Sequence, residues 1–172
     1  LAGLRQPAEG RVDLQGSDMR DLSREALHEA VVLVRGTPVL DASVADNVRF
    51  GREIDASAVD AALATVELLD DVRAMPEGVH TRLVAGGEQL SAGQARRLVL
   101  ARAIAGRPRM LLLDESLDAL DQEAKIRLAG RLLAEDAPWT VVVATHDAEV
   151  QERCPLVLEL PNYRVPSLRT AF

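Results

Sequence analysis

Two acidic side chains follow a short apolar run in the middle of the chain. Residues 110–113 read Met-Leu-Leu-Leu, which is typical of a β-strand covered on both faces, and Asp114 and Glu115 come directly after it. Ligands of open α/β sheets bind at the carboxyl ends of parallel strands. Two carboxylates at that place can contact Mg²⁺ and orient a water molecule, although each acid on its own also fits a solvated loop.

A second candidate site is the start of the helix that precedes this strand. Ser91 is the predicted N-cap, Gly93 lets a ligand approach the backbone, and Gly106 followed by Pro108 ends the helix. The apolar residues that recur at roughly helical spacing are Leu98, Leu100, Ala101 and Ile104. Unpaired N–H groups and the positive end of the helix dipole favour an anion there, although the same pattern also suits an ordinary cap.

Together these residues resemble four motifs of the ATP-binding-cassette (ABC) ATPases, in that family's order. LSAGQ at residues 90–94 is similar to the LSGGQ signature with Ala92 in place of one glycine, and MLLLDE at residues 110–115 is similar to the Walker B motif. SLDALD at residues 116–121 is similar to the D-loop, and VVVATHD at residues 141–147 to the strand and His switch. The sequence therefore resembles the ATP-binding domain of an ABC transporter.

The resemblance implies an ABC-type ATPase and a role for each matching residue. Asp114 would hold Mg²⁺ at the bound ATP, Glu115 would polarise the lytic water, and His146 would contact the γ-phosphate. Asp121 would couple the two sites of a dimer across its interface. The residues that would clamp the ATP of the opposite subunit are Ser91, Gly93 and Gln94.

One position departs from the family's pattern. The buried strand predicted at Val31–Val34 would lead into the Q-loop, but Arg35 occupies the place of the family's glutamine. An arginine can donate to phosphate oxygens, yet it cannot ligate a cation because it is donor-only and permanently charged. Impaired hydrolysis and replacement by a charged donor are both open. The segment that follows, with Asn47, resembles exporter-type cassettes more than importers.

A phosphate-binding loop of the form GxxxxGK[ST] is absent from the sequence. Lys125 is the one lysine, and no glycine-rich loop precedes it. The first residue is Leu1, so we expect a piece of a longer protein in which that loop lies upstream. Without the loop's amides and lysine, we predict that the 172 residues alone neither bind ATP tightly nor hydrolyse it at a useful rate.

Alternating strands and helices predict an α/β fold with a largely parallel sheet. By resemblance this is a P-loop NTPase (RecA-like) core with an ABC helical subdomain inserted. We expect residues 1–43 to form part of the core with the Q-loop region, and residues 44–99 to form the helical subdomain that ends in the signature. Residues 100–172 would complete the core with Walker B, D-loop and His switch.

Turn residues and caps predict the smaller elements. Gly10 and Gly16 flank an alternating run that is typical of an edge strand in a small antiparallel sheet. Ser23 and Asp55 are predicted N-caps. The periodicity also predicts a helix over residues 122–134 and a last strand over residues 156–160.

Composition and resemblance together limit the partners. The net charge of −7 and the 2% share of aromatic residues argue against binding to nucleic acid. No apolar stretch approaches the roughly 18–20 residues that a membrane-spanning helix needs. The resemblance implies a second nucleotide-binding domain in a head-to-tail dimer and a fused or associated transmembrane domain. It would place the chain at the cytoplasmic face of the plasma membrane.

Two other functions stay open at this point. One is a degenerate regulatory cassette that presents LSAGQ in trans and hydrolyses nothing, an idea favoured by Arg35, by Ala92 and by the missing phosphate-binding loop. The other is a soluble ABC ATPase that acts on ribosomes or DNA ends. The acidic composition and the short insert without long heptads argue against the second function.

Overall fold

The structure is a computed structural model that describes residues 9–14, 16–36 and 38–159, together with Gly3 and Pro7. Its strands, α-helices and one 3₁₀ helix follow one another as β1 (Asp13–Leu14), β2 (Ser17–Asp18), α1 (Arg24–Ala30), β3 (Val31–Val34), β4 (Ala42–Ser43), α2 (Val44–Arg49), α3 (Ala56–Thr65), α4 (Leu69–Arg73), the 3₁₀ helix (Gly78–His80), β5 (Arg82–Leu83), α5 (Ala92–Ala105), β6 (Met110–Asp114), α6 (Gln122–Leu132), β7 (Thr140–Ala144) and α7 (Ala148–Gln151).

The centre of the fold is a parallel sheet with the strand order β3-β6-β7. The register pairs Val34 with Leu113 and Asp114 with Ala144, so the three strands end at one edge. Residues 111–113 of the middle strand are buried, as their continuous apolar run predicts. This arrangement confirms the α/β fold and the parallel sheet.

The chain between β3 and β6 is mainly helical and shares one core with the sheet. Helices α2 and α3 both pack on α5, and Val48, Leu63 and Leu98 are 0% exposed. The carboxylate of Asp55 accepts a hydrogen bond from the N–H of Ala58 at 2.8 Å, which confirms the predicted cap of α3. The short antiparallel pair of β4 and β5 lies in the same part of the chain.

Most predicted element ends agree with the structure. The β1-β2 hairpin confirms the small antiparallel strand, and Ser23 caps α1 by accepting a hydrogen bond from the N–H of Ala26 at 3.1 Å. Helix α5 ends at its C-cap Gly106, as predicted. Helix α6 stops two residues early, at Leu132, whose carbonyl accepts a hydrogen bond from Nε1 of Trp139 at 3.0 Å.

The last predicted strand is wrong for the residues that the structure describes. Residues 156–159 form no strand, and the apolar side chains 156–158 are between 50% and 77% exposed. An apolar run becomes a strand only where a neighbouring strand takes up its backbone hydrogen bonds, and no described strand pairs with this one. Leu160 and residues 161–172 lie outside the described residues.

Candidate functional site

The two acidic side chains lie at the carboxyl edge of the sheet, as the sequence predicts. Asp114 ends β6 opposite Ala144 of β7, and the N–H of Glu115 donates to the carbonyl of Ala144 at 3.1 Å. Glu115 has φ +49°, a left-handed conformation that is uncommon for a residue with a side chain. The chain therefore turns sharply after the strand, and Glu115 is exposed. Backbone strain of this kind concentrates at functional sites.

His146 reaches the same edge because it follows the neighbouring strand β7. Its own side chain is exposed, but the loop around it is held from both sides. The amide of Gln151 donates to the carbonyl of Thr145 at 3.2 Å, and the N–H of Asp147 donates to the hydroxyl of Thr145 at 3.0 Å. Asp147 also caps α7. The position of His146 is therefore set by its neighbours in the loop.

A largely buried ion pair fixes this loop to α6. Nζ of Lys125 lies 2.9 Å from Oδ2 of Asp147, and the two side chains are only 11% and 15% exposed. The hydrogen bond from Lys125 lowers the pKa of Asp147, and the same bond raises the pKa of Lys125. Both groups therefore stay charged around neutral pH. The helix that begins after Asp121 is tied in this way to the loop that carries His146.

Arg35 follows β3 and lies against the first of the two acids. Its Nε is 3.2 Å from Oδ2 of Asp114. The side chain of Arg35 is 74% exposed and that of Asp114 is 39% exposed, so the pair faces solvent. The sequence predicts that Arg35 cannot replace a metal-binding glutamine, but it does not predict this contact with Asp114.

Ser91 and Gln94 form a reciprocal capping box at the start of α5. The hydroxyl of Ser91 accepts from the N–H of Gln94 at 3.1 Å, and Oε1 of Gln94 accepts from the N–H of Ser91 at 3.0 Å. The predicted N-cap is confirmed. A Cβ added at Gly93 would meet Leu120 at 3.8 Å, which is ordinary contact, so packing within this chain does not require a glycine there.

Asp121 is the N-cap of α6. Its Oδ1 accepts a hydrogen bond from the N–H of Ala124 at 2.9 Å, and the residue is exposed. Its role in coupling two sites stays a prediction.

The structure brings half of the predicted residues to one edge of the sheet, and these are Arg35, Asp114, Glu115 and His146. The others lie at the starts of two helices, and these are Ser91, Gly93, Gln94 and Asp121. A shallow groove is shared by the segment after β3, the start of α5 and the loop after β6. Its lining includes Gly36, Val39, Ala92, Arg96 and Ala119.

A Mg²⁺ ion fits the donor chemistry of this edge. Proteins usually hold Mg²⁺ by one or two carboxylates, together with water and phosphate oxygens of the substrate. Asp114 and Glu115 supply carboxylates at the end of one strand. Within the described ranges, no three acidic, histidine or cysteine side chains cluster closely enough to hold a metal by themselves. Water and phosphate oxygens of the substrate would complete the shell of an ion held by these carboxylates.

A buried polar network that the sequence does not predict joins α2 and α5. Arg102 of α5 donates to both the carbonyl and the side-chain oxygen of Asn47 at 2.8 Å, and to the carbonyl of Pro38 at 3.2 Å. Its guanidinium also lies 4.8 Å from the ring centre of Phe50. The signal that could have revealed this network is an arginine inside the otherwise apolar run of α5.

Comparisons with known proteins agree with these motifs. A family model described as ABC transporter matches residues 1–118. The ATP-dependent lipid A-core flippase of Thiobacillus denitrificans is 32% identical over 162 residues, which cover 92% of this chain and 28% of that protein. Antigen peptide transporter 2 of Rattus norvegicus is 36% identical over 162 residues, which cover 93% of this chain and 23% of that protein.

A solved structure shares the fold. It is described as a bacterial Atm1-family ABC exporter with ATP bound, and it superposes with a TM-score of 0.77 at 26% identity over 86% of this chain and 26% of that one. The chain thus spans about a quarter of the length of the proteins it matches. None of the described helices has the length and apolar character needed to cross a membrane. From its motifs, its fold and the family match, the chain belongs to the ABC transporter family.

Proposed function

We propose that the chain is part of the nucleotide-binding domain of an ABC exporter, and that this domain binds ATP with Mg²⁺ and hydrolyses it to drive transport. The observation that carries the proposal is the common sheet edge of Asp114, Glu115 and His146, where the N–H of Glu115 donates to the strand that leads to His146. The similarity to an ATP-dependent flippase and to a peptide transporter supports it.

Asp114, Glu115 and His146 at the sheet edge each have a separate role in hydrolysis. Asp114 would hold Mg²⁺, which when bound neutralises negative charge on phosphate oxygens. Glu115, exposed and turned by its left-handed backbone, accepts a hydrogen bond from the attacking water and orients it. His146 donates a hydrogen bond to an oxygen of the γ-phosphate from a loop that Lys125 holds in place.

In this proposal the start of α5 binds the ATP of a second domain. A helix of 14 residues presents the positive end of its dipole there. The Ser91 hydroxyl acts as an acceptor in the capping box, so its own proton can be donated to a phosphate. Gly93 keeps the surface open for close approach, Gln94 lies beside it, and Asp121 links the two sites of the head-to-tail pair.

The proposal also assigns the parts of the chain. Residues 1–43 and 100–172 belong to the RecA-like core, and residues 44–99 form the helical subdomain that ends in the signature. Helices α2 to α4 between β3 and β6 support this division. The partners are a second nucleotide-binding domain and a transmembrane domain, which would hold the chain at the cytoplasmic face of the membrane.

One observation favours a second candidate, the regulatory cassette that presents its signature in trans. The ion pair between Arg35 and Asp114 takes up a carboxylate oxygen that hydrolysis would need. Such a cassette would hydrolyse no ATP on its own but would support hydrolysis by an active partner.

The substitution Glu115→Gln in the full-length protein tests the proposal. We expect ATP turnover to fall by at least about a hundredfold, because the water loses its general base, while ATP binding persists. The matched control Glu135→Gln makes the same chemical change at an exposed position after α6 and should leave turnover unchanged. Unchanged turnover in Glu115→Gln removes Glu115 from its role. Absence of turnover in the unaltered protein, restored by an active partner, supports the regulatory cassette instead.

A further inference from the structure

Arg35 and Asp114 are placed side by side by the register of the sheet. Val34 of β3 pairs with Leu113 of β6, so the next residue of each strand stands level with the other. Nε of Arg35 lies 3.2 Å from Oδ2 of Asp114. The permanently charged guanidinium of Arg35 therefore contacts the carboxylate that is proposed to hold Mg²⁺.

A buried serine fixes the backbone on both sides of this pair. The hydroxyl of Ser116 lies 2.6 Å from the carbonyl of Val34 and 3.2 Å from the carbonyl of Asp114, within hydrogen-bond reach of both. Ser116 is only 1% exposed. The backbone at the two charged residues is thus held in register, and the side chain of Arg35 is 74% exposed.

We infer that Arg35 is a built-in competitor of the metal ion at Asp114, so that a divalent cation binds only as the guanidinium is displaced. This inference rests on the proposed function, because it takes Asp114 as the metal-binding carboxylate. A guanidinium has no acceptor and cannot join the shell of a metal ion. Two cations on one carboxylate also repel each other. The site then needs a higher concentration of free divalent cation than the same site without Arg35.

Paramagnetic broadening by Mn²⁺ measures this competition without ATP and without turnover. The ¹⁵N-labelled chain of 172 residues is titrated with MnCl₂ alone, and the amide signals of Leu113 and Glu115 on either side of Asp114 are followed. The variants are Arg35→Gln, which removes the charge, and Arg35→Lys, which keeps it. Asp114→Asn removes the carboxylate itself.

Arg82→Gln is the matched control. Nη2 of Arg82 lies 3.0 Å from Oδ1 of Asp41, and the two side chains are 76% and 57% exposed. This variant changes the net charge of the chain by the same amount as Arg35→Gln, at another exposed arginine-aspartate pair.

We expect Arg35→Gln to lower the Mn²⁺ concentration for half broadening at Leu113 and Glu115 by about twofold to fivefold, the range of an exposed ion pair. Arg35→Lys and Arg82→Gln should stay near the unaltered chain at these two amides. Equal midpoints for Arg35→Gln and the unaltered chain overturn the inference and leave the metal role of Asp114 intact. An equal drop in Arg82→Gln, or a drop in Arg35→Lys as large as in Arg35→Gln, also overturns it. Broadening that stays absent from both amides in the unaltered chain and in Arg35→Gln also overturns the inference. Broadening that survives Asp114→Asn unchanged contradicts the metal role of Asp114 in the proposed function as well.

Discussion

Arg102 donates from Nη2 to Oδ1 of Asn47 at 2.8 Å inside the protein core, where the two residues are 6% and 0% exposed. Burial lowers the pKa of Arg102, and the nearby charge of Arg52 lowers it further. Asn47 also accepts from the N–H of Leu40 at 2.8 Å. The helix that begins at the signature is thus joined to the segment after β3 through one buried amide.

Removing that amide should destabilise the fold strongly. Asn47→Ala removes the side-chain oxygen that accepts from Nη2 of Arg102 and from the N–H of Leu40, while the bonds from Arg102 to the two backbone carbonyls remain. With two donors left without that acceptor, we expect the free energy of unfolding to fall by about 2–4 kcal/mol. Urea unfolding followed by the fluorescence of Trp139, the one tryptophan, measures it. Asn47→Asp should also destabilise, because its carboxylate would face the carbonyl of Leu40, to which the amide now donates at 3.1 Å.

Gln89→Ala is the control for this prediction. Gln89 is an exposed amide that accepts a hydrogen bond from the N–H of Val84 at 3.1 Å, so its loss should cost less than about 1 kcal/mol. A cost for Asn47→Ala as small as that for Gln89→Ala would show that the buried network contributes little.

The pair of Lys125 and Asp147 predicts a defined pH dependence. The hydrogen bond from Lys125 depresses the pKa of Asp147 below 3.8, so its stabilising effect is present above about pH 4 and disappears as the pH falls through the lowered pKa. The pKa of Lys125 is raised above 10.5, so its effect is present below that pH and disappears as the pH rises further. The pair therefore stabilises the fold evenly between about pH 5 and pH 9.

Lys125→Met reveals this contribution. We expect the difference in the free energy of unfolding between the unaltered chain and Lys125→Met to be constant from about pH 5 to pH 9 and to shrink below pH 4. Arg82→Met is the matched control, since it removes a cation from a pair in which Arg82 is 76% exposed, and its effect should be small at every pH. A difference for Lys125→Met that persists unchanged at pH 2 would contradict the pair's role.

The sequence predicts the parts of the fold that depend on local pattern. The buried run of β6, the Ser91 cap and the Asp55 cap follow from neighbouring residues, and each is confirmed. The juxtaposition of Asp114 with the loop of His146 follows from the rule that parallel strands end at one edge.

Contacts between distant segments could not be predicted in the same way. Arg35 meets Asp114, and Arg102 meets Asn47, only because strand register and helix packing bring together residues that are tens of positions apart in sequence. The predicted strand fails at residues 156–159 for the same reason, because an apolar run does not reveal whether a neighbouring strand is there to pair with it.

Glu67 joins the helical part of the chain to α6 from a strained position. It has φ +58°, and its carboxylate lies 3.1 Å from Nε of Arg127 and 3.1 Å from Nη2 of Arg131. Glu67→Ala should lower the free energy of unfolding by about 1–2 kcal/mol through loss of both pairs. Glu67→Gly loses the same pairs but relieves the left-handed backbone, so we expect it to be about 1 kcal/mol more stable than Glu67→Ala. Urea unfolding of the two variants checks this order, and the reverse order would show that the backbone at Glu67 is unstrained.

Two glycines close to the signature should respond to alanine in opposite ways. At Gly93 an added Cβ meets only Leu120 at 3.8 Å, inside the first turn of α5, so Gly93→Ala should leave the isolated chain as stable as before or more stable by up to about 1 kcal/mol. At Gly87, where φ is +70°, the Cβ would lie 2.9 Å from Val39. Gly87→Ala should therefore cost about 1–3 kcal/mol.

ATP hydrolysis should be affected in the reverse order, with the larger loss in Gly93→Ala. In the full-length protein we expect Gly93→Ala to lower ATP hydrolysis at least tenfold, because the new methyl group occupies the space in which the phosphates of a second domain's ATP would approach α5. Per folded molecule, Gly87→Ala should retain more ATP hydrolysis than Gly93→Ala. Urea unfolding of the chain together with ATPase assays of the full-length variants separates the effect on stability from the effect on hydrolysis.

Full hydrolysis by Gly93→Ala would mean that α5 does not bind ATP at this glycine. Loss of stability in the same variant would mean that the glycine serves the packing of α5 against Leu120.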